Sequence, residues 1–351
     1  MLALRGAVVA TMVACIAAAK DARVARAEAM SAWFAAATSS KGDAPRPPAA
    51  WTVASAKDVR ALRPIGGGDK KRVFRGVAKG RDVIVKASSE AHARDRGGGA
   101  VYLELVYLEA LRGSPGVPEL LGAWLNGSHV FYATTDCGAP VGVGPAGRGR
   151  RAAVLSPAFE GLAAERPLAL ARSIIGCFRS WARAGFLLDD FKPQQFTLKG
   201  EDVFLVDGPS LLEDSAIGAV VAAAFPKCKD LLPPPSVNAT CAKDDDCPRT
   251  KAHHACARPG DCEPEARGAP EARGACRARA CLGLSEKTHV YDLASRPWLL
   301  PAVARRARSP ASVAVIERLC RKARADDPRD RPSFDSMIAD LDRQIADASG
   351  L

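Results

Sequence analysis

Aromatic side chains are scarce in this chain: they form 6% of its 351 residues, and no basic run alternates with them. A net charge of +11 therefore builds no stacking platform for bases. Its arginines are scattered beside Ala and Gly, so no nucleic-acid partner is expected. Long apolar runs are also missing. The one candidate, uncharged from Gly6 to Ala19, falls short of the roughly twenty residues that an ordinary spanning helix needs. There is no internal repeat, which excludes a solenoid, and no C-x2-C pair of the kind that structural zinc sites favour. Asp244-Asp245-Asp246 lacks the glycine and closing glutamate of an EF-hand loop, and reads as a solvated turn.

What is present points to the secretory pathway. Arg5 precedes the apolar stretch and Lys20 follows it, with small residues at Ala17-Ala18-Ala19 for cleavage. Residues 1–19 read as a signal peptide or as a short type II anchor, and either sends the remainder into the lumen. Asn126-Gly127-Ser128 and Asn238-Ala239-Thr240 are glycosylation sequons, making Asn126 and Asn238 candidate acceptors. Six of eleven cysteines, Cys241, Cys247, Cys256, Cys262, Cys276 and Cys281, lie within one short stretch, and Cys228 stands just upstream. Such density belongs where thiols are oxidised, so these seven are disulfide candidates. His253 and His254 keep zinc open, and the spacing does not select a pairing. The expected location is the lumen or membrane of the secretory pathway, with secretion as the alternative.

Composition divides the chain further. Residues 20–50, rich in Ala, Ser and Pro, read as a linker, and order is expected from Trp51. Val73-Phe74 and Val83-Ile84-Val85, separated by Gly80, suggest an antiparallel pair. A helix is expected from Val101 to Leu111, then strands from Glu119 to Trp124 and His129 to Thr134. The second half is more helical. Leu168, Ala171, Ile174, Ile175, Phe178 and Trp181 share one face and end at Gly185, and helices are expected over 312–323 and 332–346. Between them, 228–284 has almost no apolar periodicity and needs crosslinks to hold it.

Five local signatures follow one another in the order of a protein kinase. Ile65-Gly66-Gly67-Gly68 with Val73 resembles the loop G-x-G-x-x-G-x-V, in which Gly66 and Gly68 admit phosphates close to backbone N–H groups and Val73 covers the adenine; Lys71 replaces the third glycine. Val83-Ile84-Val85-Lys86 is close to V-A-I-K, and a lysine ending an apolar strand needs a partner. Glu104, eighteen residues on, matches the helical glutamate that pairs with it, with Glu109 as the alternative. Asp190-Phe191-Lys192-Pro193-Gln194-Gln195 resembles the catalytic loop. Asp190 takes the place of the base, Lys192 lies near the transferred phosphate, and Gln195 stands for the metal-binding asparagine. Val203-Phe204-Leu205-Val206-Asp207-Gly208 resembles the strand that delivers an aspartate to the metal. Further on, Arg331 in the Asp-Pro-x-x-Arg-Pro-Ser-Phe pattern is expected to be structural.

The signal, the kinase-like motifs and the cysteine stretch together resemble the divergent protein kinase domain family of cysteine-rich secretory-pathway proteins. The residues that carry this are Asp190 to Pro193, Leu205 to Asp207, Cys241 to Cys247, His289 to Leu293 and Arg296-Pro297-Trp298. The resemblance implies an α+β, bilobal kinase-like fold. It would have a β-rich N-lobe over 51–136 with one key helix, and a helical C-lobe over 137–346 carrying the disulfide-rich insert. It also implies ATP with Mg²⁺ or Mn²⁺, and a protein or glycan hydroxyl as acceptor. Departures keep a second reading open: Leu188 and Asp189 replace the His-Arg pair, Gln195 the asparagine, and Pro209 follows Gly208. Such a chain is either a phosphotransferase or a catalytically inactive pseudokinase serving as a binding module.

Overall fold

Why the first half becomes a sheet is plain from its β-branched runs, which bury alternate residues on a pleated surface. The computed structural model describes residues 22–37, 51–67, 71–88, 99–127, 129–143, 154–187, 192–207, 210–211, 216–224, 249–250, 272–273, 275–277, 280–282, 286–325 and 330–349. The chain is α+β and separates into two compact units. One comprises Met1–Arg112, Glu119–Asp136 and Ser215–Leu231; the other Gly113–Pro118, Cys137–Asp214 and Leu232–Leu351.

The first unit opens with helix α1, residues 22–37. It continues with strands β1 (Val59–Gly67), β2 (Lys71–Ala78) and β3 (Arg81–Ser88), helix α2 (Gly99–Ala110), and strands β4 (Leu120–Asn126) and β5 (His129–Thr135). The five strands form one antiparallel sheet in the order β1-β2-β3-β5-β4. Val83 and Val85 bury one face of β3 with Val53, Val59, Leu121, Trp124 and Ala133, and Phe74 and Phe131 pack against them. The segment before β1 crosses that face closely: Thr52 and Val53 both donate their N–H to the Leu121 carbonyl at 2.8 and 3.0 Å. Only glycine fits beneath it at position 122, because a Cβ there would lie 1.8 Å from the Val53 carbonyl oxygen.

Helix α1 occupies residues 22–37 of the stretch read as a linker, and the rest of that stretch lies outside the described residues. Ala27, Met30, Phe34 and Ala37 recur at helical spacing and are buried, as is Trp33, whose ring meets Trp51 edge-on at 4.9 Å. Its partner is α2. Ser31 Oγ and Tyr102 OH are 2.6 Å apart, Phe34 and Tyr102 rings are 4.9 Å apart, and Arg26 donates to the Glu109 and Ala110 carbonyls at 3.0 and 2.9 Å. Those last two bonds satisfy acceptors that a helix C-terminus leaves without intrahelical donors. With the sheet and α1 to cover it, α2 is buried at every position from Val101 to Leu111.

The second unit carries short strand pairs and most of the helices. β6 (Ala139–Pro140) edges the later hairpin, and β7 (Gly142–Val143) pairs with β8 (Val154–Leu155). Helix α3 (Pro157–Glu165) is capped by the Ser156 hydroxyl, which accepts from Phe159 N–H. Helix α4 (Pro167–Ala182) buries Ala171, Ile174, Ile175, Phe178 and Trp181 of the stripe expected from sequence and leaves Leu168 half-buried; the chain turns at Gly185 with φ +82. After it come β9 (Phe186–Leu187), β10 (Phe196–Lys199), β11 (Asp202–Leu205) and β12 (Ser210–Leu211), then α5 (Ala216–Ala224), which belongs to the first unit.

Within the cysteine-rich stretch, β13 (Arg249–Thr250) pairs with β14 (Ala272–Arg273), and β15 (Ala275–Arg277) pairs with β16 (Ala280–Leu282). Four helices close the chain: α6 (Glu286–Ser295), α7 (Leu300–Arg306), α8 (Pro310–Ala323) and α9 (Phe334–Ser349). The α9 face of Phe334, Met337, Ile338 and Leu341 is buried as the spacing predicts. Exposed ion pairs tie it to α4, with Arg179 at 3.1 Å from Asp335 and further pairs from Arg183 to Asp335 and Arg172 to Asp342. Among the described residues no helix is long and apolar enough to cross a membrane.

Candidate functional site

Lysine at position 86 is the first polar residue that the sheet forces into its interior. Strand pairing sets Gly66 opposite Val73, Val73 opposite Lys86, and Lys86 opposite Tyr132, so these four residues form one row across the sheet. Side chains alternate along a strand, which turns Lys86 away from the Val83 and Val85 core and towards α2. There its ammonium donates to Glu104 Oε1 at 2.5 Å, with 7% of Lys86 and 2% of Glu104 exposed. The ammonium also lies 5.9 Å from the centre of the Tyr132 ring. Two charges this deep survive only as a hydrogen-bonded pair, since a lone one would forfeit its hydration.

Glu104 and Glu109 were alternatives on sequence, and their surroundings separate them. Glu109 serves the end of its own helix, receiving Arg112 Nη2 at 2.7 Å and Nε at 3.2 Å. Glu104 serves the sheet, and it takes a second partner that the sequence reading did not foresee. Lys71 bonds Glu104 Oε2, so one carboxylate is held by two ammonium groups. The signal for Lys71 was present in the strand period: it lies two residues before Val73, hence on the face of Lys86. It was obscured because position 71 read only as a lost glycine.

Three further described candidates, Lys192, Gln195 and Asp207, lie in the second unit. β9 pairs with β12, Phe186 opposite Leu211 and Leu187 opposite Ser210, and β10 pairs with β11, Phe196 opposite Leu205. The hairpin turns at Gly200, φ +62. Lys192 opens a 3-10 turn over Pro193–Gln195 and is exposed. Val206 N–H donates to the Gln195 carbonyl at 2.9 Å, which ties the end of this loop to the residue before Asp207. Asp207 is half-buried in the bend that follows β11. Gln195 is buried, and its amide oxygen accepts the Lys192 N–H at 2.9 Å. That bond braces the loop and occupies one lone pair of the oxygen expected to meet a metal. Asp190, Gly68, Asn238, Cys228, Cys241, Cys247, Cys256 and Cys262 lie outside the described residues.

Several residues with a polar character prove structural. Arg331 is 3% exposed, stacks 4.5 Å over Tyr291 and donates to the Ala325 carbonyl at 2.8 Å. His289 is buried with its Nε2 3.3 Å from the Phe186 carbonyl, beside the Trp181 ring at 4.9 Å. Cys177 and Cys320 are buried thiols without a disulfide, and burial pushes them up to about 12 and about 11, so neither is a nucleophile near neutral pH. Asn126 ends β4, exposed, immediately before Gly127, whose φ of +61 makes the tight turn into β5. Cys276 and Cys281 are directly opposed in the β15–β16 pair. A half-open groove of about 640 Å³ beside α4 and α9, lined by Arg172, Arg179, Glu201, Asp202, Phe204 and Ile338 among others, contains none of the expected site residues.

Neither the protein-family models nor the curated proteins contain a match to this chain.

Proposed function

We propose that this chain is a divergent protein-kinase-like protein of the secretory pathway, which binds ATP with Mg²⁺ or Mn²⁺ and passes its γ-phosphate to a protein or glycan hydroxyl. The observation that carries this reading is the buried bond from Lys86 to Glu104. It fixes a cation on the sheet row that also holds Gly66 and Val73, which with Lys86 and Glu104 are the described residues assigned to nucleotide. The bound nucleotide would supply the phosphoryl group and its metal the counter-charge. Lys86, steadied by Glu104, holds phosphate oxygens; Val73 offers an apolar surface to the base; Asp207 offers a carboxylate to the metal. Asp190 orients the acceptor hydroxyl and takes its proton, with Lys192 near the transferred group. The leader, the sequons and the cysteine-rich stretch support a lumenal address in the endoplasmic reticulum, with disulfides in 228–284 and a glycan at Asn126. Resemblance to the divergent protein kinase domain family rests on Asp190 to Pro193, Leu205 to Asp207, Cys241 to Cys247, His289 to Leu293 and Arg296-Pro297-Trp298.

One observation favours a second reading, an inactive pseudokinase that serves as a binding module. Gln195 turns its amide oxygen onto the Lys192 N–H, which competes with metal coordination. Thermal unfolding of the lumenal chain with Mn²⁺ and ATP separates the readings. The nucleotide-binding reading expects a raised Tm in the wild type that is lost in Lys86→Met and Asp207→Ala. An unshifted wild type overturns it. Binding without transfer of labelled phosphate to any lumenal acceptor would leave the pseudokinase.

A further inference from the structure

The two-lysine arrangement around Glu104 asks for more than a structural explanation. Lys71 and Lys86 approach different oxygens of one carboxylate, and Glu104 is almost wholly withdrawn from water. Two ammonium groups brought to one carboxylate at low dielectric repel each other, so their approach must be fixed by the fold. Their position is set by register rather than by flexible reach. Val73 lies opposite Lys86 and Lys71 lies opposite Ser88, so the two lysines occupy neighbouring rows on the same sheet face. Arg72, between Lys71 and Val73, falls on the opposite face and is exposed. Lys71 begins β2 and keeps 15% of its side chain exposed, against 9% for Lys86.

We infer that Lys71 is a second phosphate-holding lysine, so that this site grips a polyphosphate chain between two ammonium groups tethered to a single glutamate. The inference rests on the nucleotide-binding reading above and deepens it. An ammonium carries three N–H donors, and both lysines reach Glu104 with one of theirs while presenting a compact positive charge. A triphosphate brings several negative charges and many acceptor oxygens, and charge-assisted bonds to it are the strong kind. Glu104 sets the spacing of the two cations before the anion arrives, so the cost of gathering them is met in the fold rather than at binding. The expected ligand is the triphosphate of a nucleotide, and an inorganic polyphosphate shares its chemistry.

Calorimetric binding on the full lumenal chain, with Mn²⁺, tests this using ATP, AMP and inorganic tripolyphosphate as probes on wild type, Lys71→Met and Lys86→Met. Lys71→Met is expected to weaken ATP by about tenfold, as the loss of one charged hydrogen bond would, and to leave AMP within about twofold. Equal weakening of ATP and AMP would mean that Lys71 merely holds Glu104 in place, and overturns the inference. So does an unchanged ATP affinity in Lys71→Met while Lys86→Met loses it; the nucleotide-binding reading then stands alone. Tripolyphosphate binding that depends on Lys71, without ATP binding, supports the two-lysine grip and assigns it to inorganic polyphosphate. A wild type that binds none of the three probes overturns both. Circular dichroism melts of each variant separate lost binding from lost folding.

Discussion

The two units use charge in opposite ways. In the first, three charged side chains converge beneath a sheet: Lys71, Lys86 and Glu104, with the glutamate 2% exposed. In the second, the pairs between α4 and α9 stand in solvent, with Arg172 and Asp342 each about half exposed. Exposed pairs of that kind are worth little, because water already solvates both partners and salt screens them. Buried charges lose that hydration and must recover it from one another. A protein maintains such a cluster only where the backbone fixes it, and here the sheet register does so. The helical unit obtains its cohesion from the apolar stripe of α4 against Phe334, Met337, Ile338 and Leu341, and its ion pairs add orientation.

That contrast can be broken most directly at Glu104. Glu104→Ala takes the shared carboxylate from two ammonium groups, and removing one partner of a buried ion pair typically costs about 3–5 kcal/mol. Urea unfolding should therefore show a large fall in midpoint, whereas Lys86→Met alone costs less because Lys71 still holds the carboxylate. Equal losses for the two variants would contradict a shared carboxylate. Next in size is Phe34→Ala on α1, a buried aromatic truncation costing about 3 kcal/mol. Hydrogen exchange should report it as loosened α2 amides, with α9 amides unaffected.

Disulfide chemistry gives an intermediate effect. The register of β15 and β16 leads us to predict a Cys276–Cys281 bridge, whose short loop is worth about 2 kcal/mol of stability. A non-reducing peptide map should contain that crosslink, and Cys177 and Cys320 should resist alkylation until the chain is denatured. Recovery of Cys276 bonded to another cysteine would refute the pairing. Smaller still is Asp335→Ala, which breaks the exposed ion pairs to Arg179 and Arg183 for about 1 kcal/mol or less. An effect of several kcal/mol would erase the contrast between the units.

The smallest effect is a pH dependence at Asp340. Burial pushes its carboxyl up, but hydrogen bonds from Arg343 and Arg318, with their charges, outweigh this and leave it below the ordinary 3.8. A carboxyl depressed in the folded state stabilises above its unfolded value, and that contribution is lost as pH falls from about 3.8 through the folded value. Asp340→Asn should flatten this part of the acid limb while leaving stability near pH 7 lower by less than about 1 kcal/mol. An unchanged acid limb would show that Asp340 contributes nothing to it.

Much of the site was legible because strand and helix periods fix which residues share a face. Val73 and Lys86 were legible as strand residues, and Glu104 as a helical one, from alternation and spacing alone. Local pattern was silent on which glutamate meets the sheet, since Glu104 and Glu109 both fit a helix, and only the direction of α2 relative to β3 separates them. Lys71 was misjudged for a related reason: against a glycine pattern it is a mismatch, but against the strand period it is an inward residue. α1 was hidden by its surroundings. Its buried stripe of Ala27, Met30, Phe34 and Ala37 sits in a segment whose Ala, Ser and Pro content favours a linker, and its partner Tyr102 is seventy-one residues away from Ser31.

By itself the sequence determined β2 to β5 and β11, helices α2, α4, α8 and α9, and the residue types able to hold phosphate and metal, because those depend on short-range periodicity and side-chain chemistry. Tertiary structure alone decided that one carboxylate serves two lysines, that Gln195 bonds its own loop, and that α1 completes the burial of α2. Each of these depends on the register between strands or the packing between helices. Long-range contacts are selected by the free energy of the whole unit, so no local stretch of sequence encodes them.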